Sequence, residues 1–234
     1  MRQCPFPVKN PSKRLQYRMG CTIVDLSRIA DSFYNSTENC KSRHRYLHLD
    51  WNIAMNQDEP IAHKRCVAVD VETTGLSASR GDRIIEVGAV ALIENGAGDE
   101  FHTLIDPGVP VSIPAQRVHG ITNEMLRGMP KPEDALTDFH RFIGDSVLVA
   151  HNVSFDVTFL RYEFSRLGLG FNNLYRCTLT MSRRRYPTLR DHKLETVCRH
   201  LFGALPEGAR MHRALDDARM AARVWIEMTK QKPV

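Results

Sequence analysis

Three apolar runs follow one another closely between Arg65 and Ile105, and that succession limits the folds open to this chain. Arg65–Val71 reads as a short buried strand, Arg83–Ile93 as a long one and Phe101–Ile105 as a third, with residues 94–99 as a hairpin-type turn. Helix-period patterns then appear around Pro114–His119, Thr122–Arg127 and Pro132–Ile143. A further apolar strand over Ser146–Ala150 precedes helices at Val153–Leu167, Leu194–Leu201 and Arg213–Thr229. A meander of strands followed by alternating strand and helix predicts an α/β domain, a mixed sheet flanked by helices, over residues 61–234.

Residues 1–60 carry little of this patterning and hold three early prolines, Pro5, Pro7 and Pro11, so they read as an N-terminal extension. Two short helices are expected within it. One lies around Thr22–Tyr34, where Ile23, Leu26, Ile29 and Phe33 share a face, and the other over Lys41–Leu49. A length of 234 residues with 42% hydrophobic content can bury one core and a small appendage. A formal net charge of +5 and a pI near 9.0 suit a polyanionic partner without demanding one. The six cysteines form no C-x-x-C pair, which predicts reduced thiols in a cytoplasmic protein and argues against a disulfide scaffold. The start has no signal-peptide core and no apolar run reaches roughly 20 residues, so neither a secretory leader nor a membrane span is expected.

Against this background a few acidic residues stand where folding alone gives no reason for them. Asp70 and Glu72 close the apolar run Cys66–Val69, and residues two apart in a strand point to the same face. Two carboxylates so placed repel each other and are costly to desolvate, and a hard divalent cation relieves both. A strand that ended before them would instead leave both solvated. Asp156 lies in line with Leu160, Phe164 and Leu167, on the core face of its helix; a first-turn aspartate favoured by the positive helix terminus would account for it without a metal. Asp217 aligns with Ala214, Ala221, Val224 and Met228, whereas Asp216 aligns with Arg213, Met220 and Arg223. Asp217 therefore reads as functional and Asp216 as a surface residue. His212 stands five residues before Asp217, and its pKa near neutrality suits proton transfer. Four carboxylates and an imidazole are what metal-dependent phosphodiester hydrolysis needs.

In order along the chain stand Val69-Asp70-Val71-Glu72-Thr73-Thr74-Gly75-Leu76, Arg83-Ile84-Ile85-Glu86-Val87-Gly88-Ala89, His119-Gly120-Ile121-Thr122, His151-Asn152-Val153-Ser154-Phe155-Asp156 and His212-Arg213-Ala214-Leu215-Asp216-Asp217. This ordered set, spread over residues 64–230, resembles the DEDDh family of 3′→5′ exonucleases, and within it the proofreading epsilon-type members of bacterial DNA polymerase III. The resemblance implies a ribonuclease-H-like fold. It implies two Mg²⁺ or Mn²⁺ ions held by Asp70, Glu72, Asp156 and Asp217, with His212 as general base. It also implies contacts to the 3′-terminal nucleotide from Thr73, Leu76, His151, Asn152 and Phe155. The activity it suggests is release of nucleoside 5′-monophosphates from 3′ ends of DNA, single strands preferred. Two alternatives stand beside it: an exoribonuclease acting on RNA, and a polymerase accessory or nucleic-acid-binding subunit. Residues 1–60 match nothing in the family and are the segment through which a polymerase or other protein would be joined.

Three further features bear on the reading. Arg183-Arg184-Arg185-Tyr186, with Arg190, His192 and Lys193, is the densest positive stretch and reads either as a basic loop suited to a phosphate backbone or as a solvated helix end. Cys40, His44 and His48 are spaced for one helical face, yet a fourth zinc ligand is missing. Glu86, on a buried strand, is expected to be hydrogen-bonded and structural.

Overall fold

A computed structural model describes residues 64–93 and 96–230. The helices expected within residues 1–60 and the Cys40, His44 and His48 spacing lie outside the described residues, as do the first two positions of the hairpin turn. Five strands are formed, β1 (Cys66–Thr73), β2 (Ile84–Ile93), β3 (Gly96–Leu104), β4 (Val147–Ala150) and β5 (Tyr175–Cys177). The described α-helices are α1 (Ile113–His119), α2 (Asn123–Leu126), α3 (Pro132–Ile143), α4 (Val153–Arg166), α5 (Thr178–Arg185), α6 (Leu194–Phe202) and α7 (Ala214–Lys230).

The strands make one mixed sheet in the order β3-β2-β1-β4-β5. Tight connections give the antiparallel β1–β2 and β2–β3 pairs. The longer crossovers through α1–α3 and through α4 allow β1–β4 and β4–β5 to run parallel. This is the ribonuclease-H-like architecture that the sequence implied.

Alternation along β1 sends Val67, Val69 and Val71 to one face, against Phe139 of α3 and Phe159, Leu160 and Phe164 of α4. Those three phenylalanines are fully buried, each worth about 1.5–3 kcal/mol by transfer from water. Ala68 faces the other way, onto Ala218, Ala222 and Trp225 of α7. Asp70 and Glu72 continue the Ala68 side at the end of the strand. The second flank of α7, with Met220, Val224 and Met228, packs on Leu194, Val197 and Cys198 of α6. Met220, which the sequence put on a mostly solvated face with Asp216, is thus buried, because α7 is wedged between the sheet and α6.

The short helices α1 and α2 are fixed by their caps. The side chains of Ser112 and Thr122 accept from the amides of Ala115 and Met125. Two elements were not foreseen, β5 and α5. Three residues are too few to show strand alternation, and α5 ends in three arginines without an apolar stripe. Of the two readings of the basic stretch, the helix end is the one formed by Arg183–Arg185, with Arg185 Nη1 donating to the Met228 carbonyl (2.7 Å). Cys66, Cys177 and Cys198 are free thiols. Among the described residues no helix is long and apolar enough to cross a membrane.

Candidate active site

β1 runs on to Thr73, so Glu72 is a strand residue, paired across the sheet with Glu86 of β2. That removes the reading in which both acids lie beyond a finished strand. Asp70 and Glu72 are half-buried. From the opposite layer the first turn of α4 brings Asp156, only 3% exposed, whose Oδ1 accepts from the Val71 amide (3.1 Å). The α4 carboxylate therefore meets β1 at the residue between the two strand acids. From the Ala68 side α7 brings Asp217, 7% exposed. Its Oδ2 accepts from the His212 amide (3.1 Å), while its Oδ1 is buried with no partner. One ligand atom each from Glu72, His212 and Asp217 lie within 4.8 Å of one another, with the His212 ring exposed.

Burial pushes all four carboxyls up, and they push on one another. Asp70 stands well above its ordinary range, through burial and then the charges of Asp156, Asp217 and Glu72. Glu72 rises to about 8, through burial and then Asp217 and Glu86. Asp156 rises to about 8 through burial, although the Val71 amide pulls the other way. Asp217 rises to about 7 through burial, opposed by the His212 amide. A set of acceptor-only oxygens in mutual repulsion, one of them orphaned, fits a hard divalent cation, which supplies the missing positive charge.

Each of the two aspartate-bearing helices is tied to β2 by a buried carboxylate. On α4, Glu163 holds Arg83 through both oxygens (2.7 and 2.9 Å) and accepts from the Ile84 amide. On β2, Glu86 is fully buried and accepts from Arg213 Nε and Nη2, from His102 Nε2 and from the Ala214 amide. Burial alone would raise the Glu86 carboxyl, but these donors together bring it below its ordinary value. Glu86 is hydrogen-bonded, as expected. Asp216, expected at the surface, is partly exposed. Its oxygens accept from the Arg210 amide (3.1 Å) and Arg219 Nη1 (3.0 Å), which ties the segment before α7 to its first turn.

The five residues expected at a 3′ nucleotide divide. Leu76, Asn152 and Phe155 line one cleft of about 440 Å³, together with Thr158 and Tyr162. Leu76 projects into solvent at 84% exposure, and the Phe155 ring rests on Phe159 (4.9 Å). Thr73 is buried, its hydroxyl donating to the Gly75 carbonyl (2.6 Å) and its own carbonyl facing His119 Nε2 (3.3 Å). The Ile121 amide donates to His119 Nδ1, so the ring proton sits on Nε2 and points at Thr73. His151 is not among the residues lining that cleft; its ring nitrogens are engaged by the Thr178 hydroxyl (2.9 Å) and the His192 carbonyl (2.8 Å). Burial holds its pKa down to about 4. Sequence reasoning missed Tyr162 and the roles of His119 and Glu163. The spacing of Phe155, Thr158 and Tyr162 along one helical face was the signal for the first.

The family profile described as Exonuclease (RNase_T) matches residues 67–225. A PolC-type DNA polymerase III of Halalkalibacterium halodurans is 41% identical over 180 residues, covering 76% of this chain. The matched region spans only 12% of that relative's length. The DNA polymerase III subunit epsilon of Rickettsia typhi is 36% identical over 171 residues, 70% of this chain and 74% of the relative. Among solved structures, exonuclease X in complex with 5′ overhanging duplex DNA superposes with a TM-score of 0.56 at 28% identity, over 70% of this chain and 91% of that one. E. coli exonuclease I bound to an oligonucleotide superposes with a TM-score of 0.62 over 73% of this chain and 41% of that one; at 17% identity this likeness speaks for the fold alone. With its motifs in order on this fold, the chain belongs to the RNase_T exonuclease family, the DEDDh exonucleases that its sequence resembles.

Proposed function

We propose that this chain is a two-metal-dependent 3′→5′ exonuclease that releases nucleoside 5′-monophosphates from DNA, with single-stranded 3′ ends preferred. The observation that carries the reading is the meeting of Asp70, Glu72, Asp156 and Asp217 from three elements, with the exposed ring of His212 beside Glu72 and Asp217. Asp70, Glu72, Asp156 and Asp217 would hold two Mg²⁺ or Mn²⁺ ions, which would supply Lewis-acid charge stabilisation at the scissile phosphate. His212 accepts the proton that the attacking water loses. The water oxygen bonds to phosphorus as the P–O3′ bond breaks, and the released 3′-oxygen takes a proton from solvent. Phe155 offers a ring face to the terminal base, and Leu76 and Asn152 close the cleft around it. A cleft with walls on both sides favours a 3′ nucleotide that is already unpaired.

DNA is favoured over RNA because the relatives named above are a PolC-type DNA polymerase III and a DNA polymerase III subunit epsilon, and the exonuclease X structure is a complex with duplex DNA. Digestion of matched 5′-labelled DNA and RNA oligonucleotides with Mg²⁺, Mn²⁺ or EDTA tests the reading. The expected result is a metal-dependent ladder shortening from the 3′ end of single-stranded DNA. No cleavage with either metal, or cleavage of a closed single-stranded circle, would overturn it. Faster digestion of RNA would move it to an exoribonuclease. The proposal includes residues 61–234 as the exonuclease domain and residues 1–60 as the part that meets a polymerase or other partner. A fragment beginning at Ile61 is expected to unfold cooperatively and retain activity on short oligonucleotides; loss of either places the first 60 residues in the catalytic core.

A further inference from the structure

The turn that presents His212 is held in an unfavourable shape. His212 adopts φ 59°, a left-handed conformation uncommon outside glycine. Its neighbour Arg213 turns inward and places its guanidinium on Glu86, with Nη2 at 2.7 Å and Nε at 3.1 Å from Oε1. The amide of Ala214, the first residue of α7, donates to the other oxygen of Glu86 (3.1 Å). His102 Nε2 lies 2.8 Å from Oε1 on the outer side. Beneath the same turn, β2 carries Gly88, where an added Cβ would fall 2.2 Å from the Ala214 carbon and the Leu215 nitrogen. The start of α7 is therefore pressed directly onto β2, and Glu86 is the group that fixes it there.

A buried ion pair is a poor source of net stability, because desolvating both charges offsets the attraction. What it does supply is a single orientation, since a bidentate guanidinium fits a carboxylate in one plane. Glu86 also faces Glu72 directly across the β1–β2 ladder.

We propose that Glu86 is a positioning residue of the exonuclease site, acting through Arg213 and the Ala214 amide to hold His212 and Asp217 in place. The proposal rests on the exonuclease reading above. The full chain carrying Glu86→Gln keeps the shape of the side chain and removes its charge. Expected results are a kcat 10–100-fold lower, a DNA KM within about 3-fold of the parent and a calorimetric Mn²⁺ affinity about 10-fold weaker, the usual range for a group that orients metal ligands. Hydrogen exchange over residues 206–220 should quicken, with residues 153–166 unchanged. Arg213→Lys, which keeps the charge and loses the fork, should give a smaller loss in the same direction. Combining it with Glu86→Gln should cost no more than the worse single change. A folded Glu86→Gln protein with parental kcat and parental exchange over 206–220 would overturn the proposal. So would a lowered Tm with kcat per folded molecule unchanged, the mark of a merely structural ion pair. If Glu86→Gln does not fold, Arg213→Lys carries the same test. A parent protein inactive with Mg²⁺ and Mn²⁺ would end the exonuclease reading, while the exchange data would still judge the clasp.

Discussion

Helices α4 and α7 are built as counterparts. Each begins after a non-glycine residue in the left-handed region, Asn152 (φ 72°) before α4 and His212 (φ 59°) before α7, and these are the two such residues in the described chain. Each carries a buried aspartate in its first turn, Asp156 and Asp217. Each is joined to β2 by a buried glutamate–arginine pair. The differences lie in polarity and place. In α4 the glutamate is on the helix, two turns beyond Asp156, so the pair secures the body of the helix. For α7 the glutamate is on the strand and the arginine touches His212 in sequence, so the pair secures the entrance. Each aspartate accepts from a backbone amide, Asp156 from Val71 and Asp217 from His212, but Asp217 keeps one buried oxygen with no donor. The α7 side is where an added cation has most to supply, and backbone strain in both places sits next to the chemistry.

The largest expected effect tests that asymmetry. Asp156→Asn and Asp217→Asn should each reduce turnover more than about 10³-fold, since each removes charge that a metal needs for several kcal/mol of transition-state stabilisation. Both should raise the melting temperature of the metal-free protein, because burial pushes both carboxyls up, and Asp217→Asn should raise it more, because one of its oxygens has no donor. Equal shifts in both variants would erase the distinction. His212→Ala comes next, lowering kcat by about 10²–10⁴, the usual share of a general base. Full activity in that variant would remove the base assignment, and with it the reason for the strained entrance to α7.

Phe155→Ala moves the comparison to the cleft side of α4. Loss of one stacked base is worth about 1–3 kcal/mol, so KM should rise roughly 5–150-fold with kcat less affected. An unchanged KM would mean that the cleft is not on the substrate path. The smallest effect is a slope. Glu72, Asp156 and Asp217 sit at about 8, 8 and 7 in the folded protein, against ordinary values of 4.5, 3.8 and 3.8. Between pH 4 and 8 the folded state then binds more protons than the unfolded one, so stability of the metal-free protein falls as pH rises through that window. Thermal melts in EDTA should show the fall, and Mn²⁺ should abolish it. A metal-free melting temperature that climbs over the same window would contradict the mutual repulsion of these groups.

Most strands and helices were legible in the sequence because their apolar periods are strong. Pro132–Ile143 matches α3 residue for residue, and the expected core alignment of Asp156 and Asp217 is where the structure buries them. β5 and α5 were not legible, since a three-residue strand has no period and a helix ending in arginines has no stripe. The bond from the Arg210 amide to Asp216 was not legible, because it comes from a turn that no periodicity predicts, whereas Arg219 stands one helical turn on from Asp216. The contacts of His151 were not legible because the groups that engage its nitrogens, Thr178 and the His192 carbonyl, are distant in the chain.

The sequence by itself determined which faces of which elements are apolar, and therefore which carboxylates are left pointing inward, because periodicity is a local property of a strand or helix. Only the tertiary structure decided which of those groups meet. The contact of Asp156 with Val71, the 4.8 Å cluster of Glu72, His212 and Asp217, and the Glu86–Arg213 clasp join residues 85, 145 and 127 positions apart. Such contacts depend on the order of strands in the sheet and on how closely α7 can approach Gly88, and neither is written in any one segment of the chain.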